Sequence, residues 1–238
     1  MAQVKYGVIK NHTQFTDDSF LLEIQLENAE VSKARGGQYL IINTGLELQP
    51  DKPLKRAYSI LSRNEEEGTI QIAVKALTQG FASRHLSRLP LGHQLAFSGP
   101  WGKLNLREFS GDKIHIVASY TGITAALGLI ADLRNDTQAK NIALHWLRPH
   151  AQYFLSDTMV RELLSLHTSH QLSIYDCPAA DDPERLSFAT TLFRSWSIAK
   201  EAECFACGDG LINLEFQKYL QQLWPEKNCQ LENFFHKP

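Results

Sequence analysis

No stretch of this chain approaches the roughly 18 apolar residues that a membrane-spanning helix needs. Nor is there the surplus of positive charge that a nucleic-acid partner calls for. The 24 lysines and arginines stand against 26 aspartates and glutamates, a formal net charge of -2, so neither a membrane nor a nucleic acid is expected as partner. Met1 to Lys10 alternates polar and apolar residues instead of building the apolar centre of a secretory leader, and the expected compartment is the cytoplasm. Cysteine is scarce and unevenly placed: all 4, Cys177, Cys204, Cys207 and Cys229, fall in the last third. Cys204 and Cys207 have the spacing of a redox or metal pair, but they sit in an apolar run with no second pair at ligand distance. Buried thiols are expected, and no metal or iron-sulfur centre. His145, His150, His167 and His170 show no pairing on one helix face, so packed or solvated imidazoles are expected.

What is present fits two modest domains: 238 residues, 43% hydrophobic and 21% charged. Val4, Tyr6 and Val8, then Phe20, Leu22, Ile24 and Leu26, alternate at the period of half-buried strands. Gln38 to Ile42, Arg56 to Leu61, Ile70 to Val74 and Leu95 to Phe97 continue the pattern, about six strands in the first hundred residues. One helix is predicted from Gly80 to about Leu89, ahead of Pro90. The predicted unit is a six-stranded antiparallel β-barrel over residues 1–105. After Gly111-Asp112 strand-like runs (114–118, 142–147, 172–175, 204–207, 229–235) alternate with helix-like segments (123–133, 157–166, 185–198, 211–223). That rhythm predicts an α/β domain over residues 106–238 with a five-stranded parallel sheet, whose ligands bind beyond the carboxyl ends of the strands.

Several short motifs sit where such ligands would meet the chain. Arg56-Ala57-Tyr58-Ser59 combines a planar fork of donors suited to phosphate, a flat aromatic face and a small hydroxyl. Alone it also reads as a strand with one solvated cation. Gly80-Phe81-Ala82-Ser83 opens the predicted helix, where free N–H groups and a serine hydroxyl suit an anion, although helices often begin this way for structural reasons. Gly99-Pro100-Trp101-Gly102 reads first as a turn leaving the barrel. Ser119-Tyr120-Thr121-Gly122-Ile123-Thr124 is the first strand-to-helix junction of the second domain, and Cys207-Gly208-Asp209-Gly210 is the fourth.

Taken in order, Arg56-x-Tyr58-Ser59, Gly80-x-x-Ser83, Gly99-Pro100-x-Gly102, Thr121-Gly122-Ile123-Thr124, Cys207-Gly208-Asp209 and Glu232-x-Phe234 resemble the ferredoxin-NADP reductase superfamily over essentially the whole chain. The resemblance implies a barrel that binds FAD and an α/β domain that binds NADP(H) or NAD(H). Arg56 and Gly80 to Ser83 would hold the flavin diphosphate, Tyr58 would pack beside the ring system, and Ser59 would bond the hydride-accepting nitrogen. Ala57, Val74 and Ala82 would line the same cofactor. Thr121, Gly122 and Thr124 would line the nucleotide pyrophosphate, while Cys207, Gly208 and Asp209 would lie at the nicotinamide. Glu232 would be the C-terminal acid, with Phe234 or Phe235 covering the flavin. Ser59, Cys207 and Glu232 are thus the expected catalytic residues.

Two departures stand out. Tyr120 replaces a small residue of the family's nucleotide loop, and Ala125 replaces a proline. Arg148 is the candidate cation for a 2′-phosphate, giving a slight lean to NADPH, although Tyr175 to Asp182 is acidic and adds no arginine. The implied reaction passes hydride from nicotinamide to flavin, and then single electrons to a separate ferredoxin- or flavodoxin-like carrier. Two alternatives accompany it: a reductase of free flavin or ferric chelates, and a flavin-bearing electron-transfer subunit that no longer accepts pyridine nucleotide.

Overall fold

Alternation in the first domain becomes a closed barrel. The computed structural model describes residues 3–27, 34–104, 113–132, 141–164 and 170–235. Strands β1 (Lys5–Thr16), β2 (Ser19–Leu26), β3 (Tyr39–Gln49), β4 (Lys52–Asn64), β5 (Thr69–Lys75) and β6 (Gln94–Trp101) pair in the order β1-β2-β5-β4-β3-β6. Side chains two apart share a face of a strand, so Phe20, Leu22 and Ile24 all point inward. They meet Leu40, Ile42, Ile60, Ile70, Ile72, Val74, Leu95 and Phe97 in the barrel core. Helix α1 (Phe81–Leu86) is shorter than the predicted segment, and Leu86 and Leu89 join that same core.

The second domain is a five-stranded sheet in the order β11-β10-β7-β8-β9, with β7 (Lys113–Ser119), β8 (Asn141–Arg148), β9 (Gln171–Asp176), β10 (Glu203–Asp209) and β11 (Gln230–Phe235). Every neighbouring pair is parallel. Helices α2 (Ile123–Asp132), α3 (Asp157–Leu164), α4 (Glu184–Arg194) and α5 (Gly210–Leu223) complete it. A strand covered on both faces is apolar without alternation: Ile114, Ile116 and Ala118 enter one core and Val117 the other. Cys204 and Cys207 stand three apart on β10 and therefore face opposite cores, and all four thiols are free. His145 is packed, its ring stacked 4.0 Å from that of Trp196. The expected boundary at 105–106 lies outside the described residues, as do His167 and positions 165–166 of the predicted helix.

Two cores were expected, but one of them belongs to both domains. Leu61 and Ala73 turn outward from the barrel into the cluster built on α2 and the sheet, with Phe15 and Leu21 packed against it. Backbone contact between the domains is close. A Cβ at Gly128 of α2 would lie 2.4 Å from the Ile60 carbonyl oxygen, and one at Gly36 would lie 2.0 Å from the Gly128 oxygen. Arg63 of β4 completes the seam with a 2.7 Å ion pair to Asp132, whose side chain is 3% exposed. Arg63 would keep Glu65 at 3.0 Å, so Asp132→Ala loses one buried charged hydrogen bond and is expected to cost about 2 kcal/mol in denaturant unfolding. A loss below about 1 kcal/mol would mark the pair as an ordinary surface contact.

Candidate functional site

The barrel motif lies on β4, where the strand leaves its neighbours' pattern of cover. Arg56 and Ala57 are exposed, Tyr58 is half-buried, and Ser59 is buried. The Arg56 guanidinium donates only to the Lys55 carbonyl, at 2.8 Å, and no carboxylate pairs with it among the described residues. Burial pushes the Tyr58 phenol up to about 12, with Arg56 opposing. An uncompensated cation beside a half-open aromatic ring fits a phosphate joined to a flat heterocycle. That donor set therefore suits the expected flavin.

At α1 the serine is already engaged. Ser83 Oγ accepts from the Leu77 N–H at 3.1 Å and donates to the Gly80 carbonyl at 3.2 Å. A Cβ at Gly80 would come within 2.7 Å of that hydroxyl, so the glycine shapes the turn, and Ser83 serves the loop instead of offering a free donor. Ala82 is buried beneath it and Val74 lies in the barrel core. Val74 and Ala82, expected to line the cofactor, thus both have buried side chains.

Register joins the two domains at one point. Tyr39 of β3 pairs with Ser59 of β4 and with Trp101 of β6. A Cβ at Gly102, just beyond β6, would sit 3.4 Å from the Tyr39 ring and 3.5 Å from Glu232 Oε2. Glu232 on β11 is in turn the register partner of Cys207 on β10. One continuous patch therefore runs Ser59, Tyr39, Gly102, Glu232, Cys207. Burial pushes the Glu232 carboxyl up to about 7, so near neutrality it exchanges a proton readily. Asn213 of α5, fully buried, donates at 3.2 Å to the Glu232 carbonyl and at 2.8 Å to Asn233 Oδ1, which fixes the strand end carrying the acid. Phe234 packs against the shared core, and the Phe235 side chain lies outside the described residues.

The strand-end turns are clamped together by backbone. A Cβ at Gly122 would lie 2.2 Å from the Cys207 carbonyl oxygen, and one at Gly208, whose φ is +120°, would lie 2.2 Å from the Ser119 oxygen. Ser119 Oγ accepts from the Asp209 N–H at 2.8 Å. Thr121 is half-exposed, while Thr124 donates its hydroxyl to the Thr121 carbonyl at 2.9 Å and so holds the turn.

Three expected ligands have other employment. The Cys207 thiol is wholly buried and pushed well up by desolvation, so it packs and does not act as nucleophile or acid. Asp209 caps α5 through the Leu211 and Ile212 N–H groups and pairs with Arg185 at 2.9 Å. Arg148, 4% exposed, is bound to Asp157 and to the Ala151 carbonyl and lies over the Trp146 ring. It is therefore unavailable as the expected cation for a 2′-phosphate. Tyr39 and Asn213, by contrast, were not singled out from sequence. A lone asparagine among the apolar residues Ile212, Phe216 and Leu220 on the buried face of α5 is the available signal for the second, whereas only strand register reveals the first.

Comparison with known proteins agrees with this geometry. Residues 7–106 match the family model of the oxidoreductase FAD-binding domain. Over 137 residues the chain is 26% identical to an NADH-cytochrome b5 reductase 2 of Coccidioides immitis, covering 58% of this chain and 39% of that protein. Over 100 residues it is 35% identical to an NADH-cytochrome b5 reductase 1 of Aspergillus clavatus, covering 42% and 32%. It thus spans about two fifths or less of the length of these relatives. Among solved structures, a ferredoxin-NADP+ reductase from Plasmodium falciparum superposes with a TM-score of 0.78 at 15% identity, over 97% of this chain and 96% of the other. The cytochrome b5 reductase domain of Ulva prolifera nitrate reductase gives 0.75 at 18% identity, over 98% and 97%. A flavohemoglobin from Malassezia yamatoensis, solved with bound FAD and heme, gives 0.76 at 15%, over 99% and 61%.

Proposed function

We propose that this chain, whose residues 7–106 match the oxidoreductase FAD-binding domain model and which has the two-domain fold of the ferredoxin-NADP reductases, is an NADH-dependent flavoenzyme that serves a separate one-electron carrier. Bound FAD supplies the hydride acceptor and the means of releasing electrons singly. The chain's own part is positioning. Arg56 and the backbone of Gly80 to Ser83 hold the diphosphate, Tyr58 flanks the ring system, and Ser59 presents its hydroxyl to the ring edge. Thr121 and Gly122 form the turn that receives the nucleotide pyrophosphate, and Gly208 lets the nicotinamide approach the backbone. Glu232, whose carboxyl is raised by burial, is the proton-exchanging group beside the junction.

One observation carries this reading: the position a Gly102 side chain would take lies 3.5 Å from Glu232 Oε2, so the barrel motif and the sheet-top turns face a common site. Two planar rings brought to one site, with water excluded, are what direct hydride transfer requires. The orientation of Tyr120 argues against the alternative of a subunit closed to nucleotide, because its ring is buried away from the pyrophosphate turn. The carrier is of the ferredoxin or flavodoxin class. Among the described residues no His, Cys, Asp or Glu cluster is disposed to hold a metal.

The donor is NADH, against the slight lean to NADPH. Beyond β8 and β9, where the adenosine half would lie, Arg148 is committed to Asp157 and Arg185 to Asp209. Asp176, Asp181 and Glu184 are exposed there instead. An added 2′-phosphate would meet like charge, whereas an acid suits a free ribose hydroxyl. Anaerobic mixing of FAD-loaded protein with each nucleotide tests this. NADH is expected to bleach the flavin with a kcat/KM at least about tenfold above that for NADPH, roughly 1.4 kcal/mol of discrimination. Equal or reversed preference would contradict it.

A further inference from the structure

Tyr120 has a backbone conformation that tyrosine rarely adopts, with φ of +54°, and its side chain is 1% exposed. Left-handed conformations cost a bulky residue free energy and persist where surrounding contacts enforce them. Here the contacts are specific. The phenol donates to the Pro178 carbonyl at 2.7 Å, and Cys177 Sγ lies 3.7 Å from the phenol oxygen. The Tyr120 carbonyl accepts from Trp146 Nε1 at 3.0 Å.

These bonds tie the turn to the Cys177-Pro178 loop and to β8. On one flank, Gly122 and Ser119 are pressed onto Cys207 and Gly208, the nicotinamide side. On the other flank, Tyr120 alone reaches the Cys177-Pro178 loop beyond β9, the adenosine side. The departure from a small residue therefore does not crowd the pyrophosphate. We propose that Tyr120 is a positioning residue that braces the pyrophosphate turn against the adenosine-side loop, setting affinity for the adenosine half of the dinucleotide. The inference rests on the nucleotide-binding reading above and names one of its determinants.

Calorimetric titration of ADP-ribose, which carries adenosine and pyrophosphate but no hydride, onto FAD-loaded protein tests the brace without any turnover. Tyr120→Phe removes only the phenol, and Trp146→Phe removes only the donor to the Tyr120 carbonyl while keeping an aromatic ring. Each is expected to raise the ADP-ribose Kd about fivefold, the effect of one ordinary hydrogen bond. In anaerobic bleaching, the ratio of the half-saturating concentration of NADH to that of reduced nicotinamide mononucleotide, which lacks the adenosine half, should rise by the same factor. The inference is overturned if folded Tyr120→Phe binds ADP-ribose as the parent does, or if both half-saturating concentrations rise together. A parent protein that neither binds ADP-ribose nor bleaches with NADH overturns the functional reading itself, and the brace with it.

Discussion

A Gly122→Val protein is expected to purify with its full complement of FAD and to be reduced by NADH about a hundredfold more slowly than the parent. The first half follows from where the substitution acts: no residue of the Ser119–Gly122 turn enters the barrel core, and the proposed flavin-binding motif lies on β4. The second half follows from what a side chain would strike. A Cβ at this position meets the Cys207 oxygen at 2.2 Å, its carbon at 2.5 Å and Gly208 Cα at 2.8 Å. All three are backbone atoms, so no rotamer change relieves the clash, and the two strand-end turns must separate by about 1 Å. Misplacing bound substrate by that distance costs on the order of a hundredfold in rate. The check is a flavin-to-protein ratio followed by rapid mixing with NADH. Parental bleaching rates in a flavin-loaded variant would show that this turn does not position the nucleotide.

Glu232→Gln is expected to change how both stability and rate depend on pH. Burial raises the folded carboxyl to about 7 from its ordinary value of 4.5. Below the lower value the group is protonated in both states and contributes no pH dependence. Between the two values the unfolded chain gives up its proton more readily than the folded one. Stability therefore falls as pH rises, and the penalty is fully present above about 7. Glutamine removes that penalty, so the variant should melt at a higher temperature than the parent at pH 8 and at the same temperature near pH 4. A stabilisation equal at both pH values would mean that the carboxyl is not raised. In the same comparison, flavin reduction by NADH should show an inflection near pH 7 in the parent and none in the variant, because the Glu232 carboxyl changes charge there beside the proposed site. An inflection that survives substitution would assign it to another group.

The architecture was legible because each domain repeats one physical rule. Phe20, Leu22 and Ile24 alternate because one face of their strand is buried, and Ile114 to Ala118 does not because both faces are. The rule failed where a barrel residue turns outward into the second domain. Leu21, Leu61 and Ala73 are apolar out of phase because α2 and the sheet cover them. At the site, residue type led to Arg56, Tyr58, Ser59, Gly122 and Glu232, which remain proposals. It could not foresee that Arg148 and Asp209 are ion-paired and that Cys207 is buried, since an arginine, an aspartate or a thiol at a strand end serves a ligand or the fold equally well. Their partners Asp157 and Arg185 are distant in sequence or on another element, and only packing selects between the uses. Tyr120 could be flagged as unusual from sequence, but the direction of its ring depends on φ and on Pro178.

The central claim is that hydride crosses directly between two rings brought together where Ser59, Gly102 and Glu232 meet. Anaerobic rapid mixing of FAD-loaded protein with NADH, carrying hydrogen or deuterium on the transferring carbon, tests it most directly. The account predicts that NADH bleaches the flavin and that deuterium slows the bleaching. Protein that stays yellow with NADH, or that bleaches at the same rate with either isotope, would contradict it.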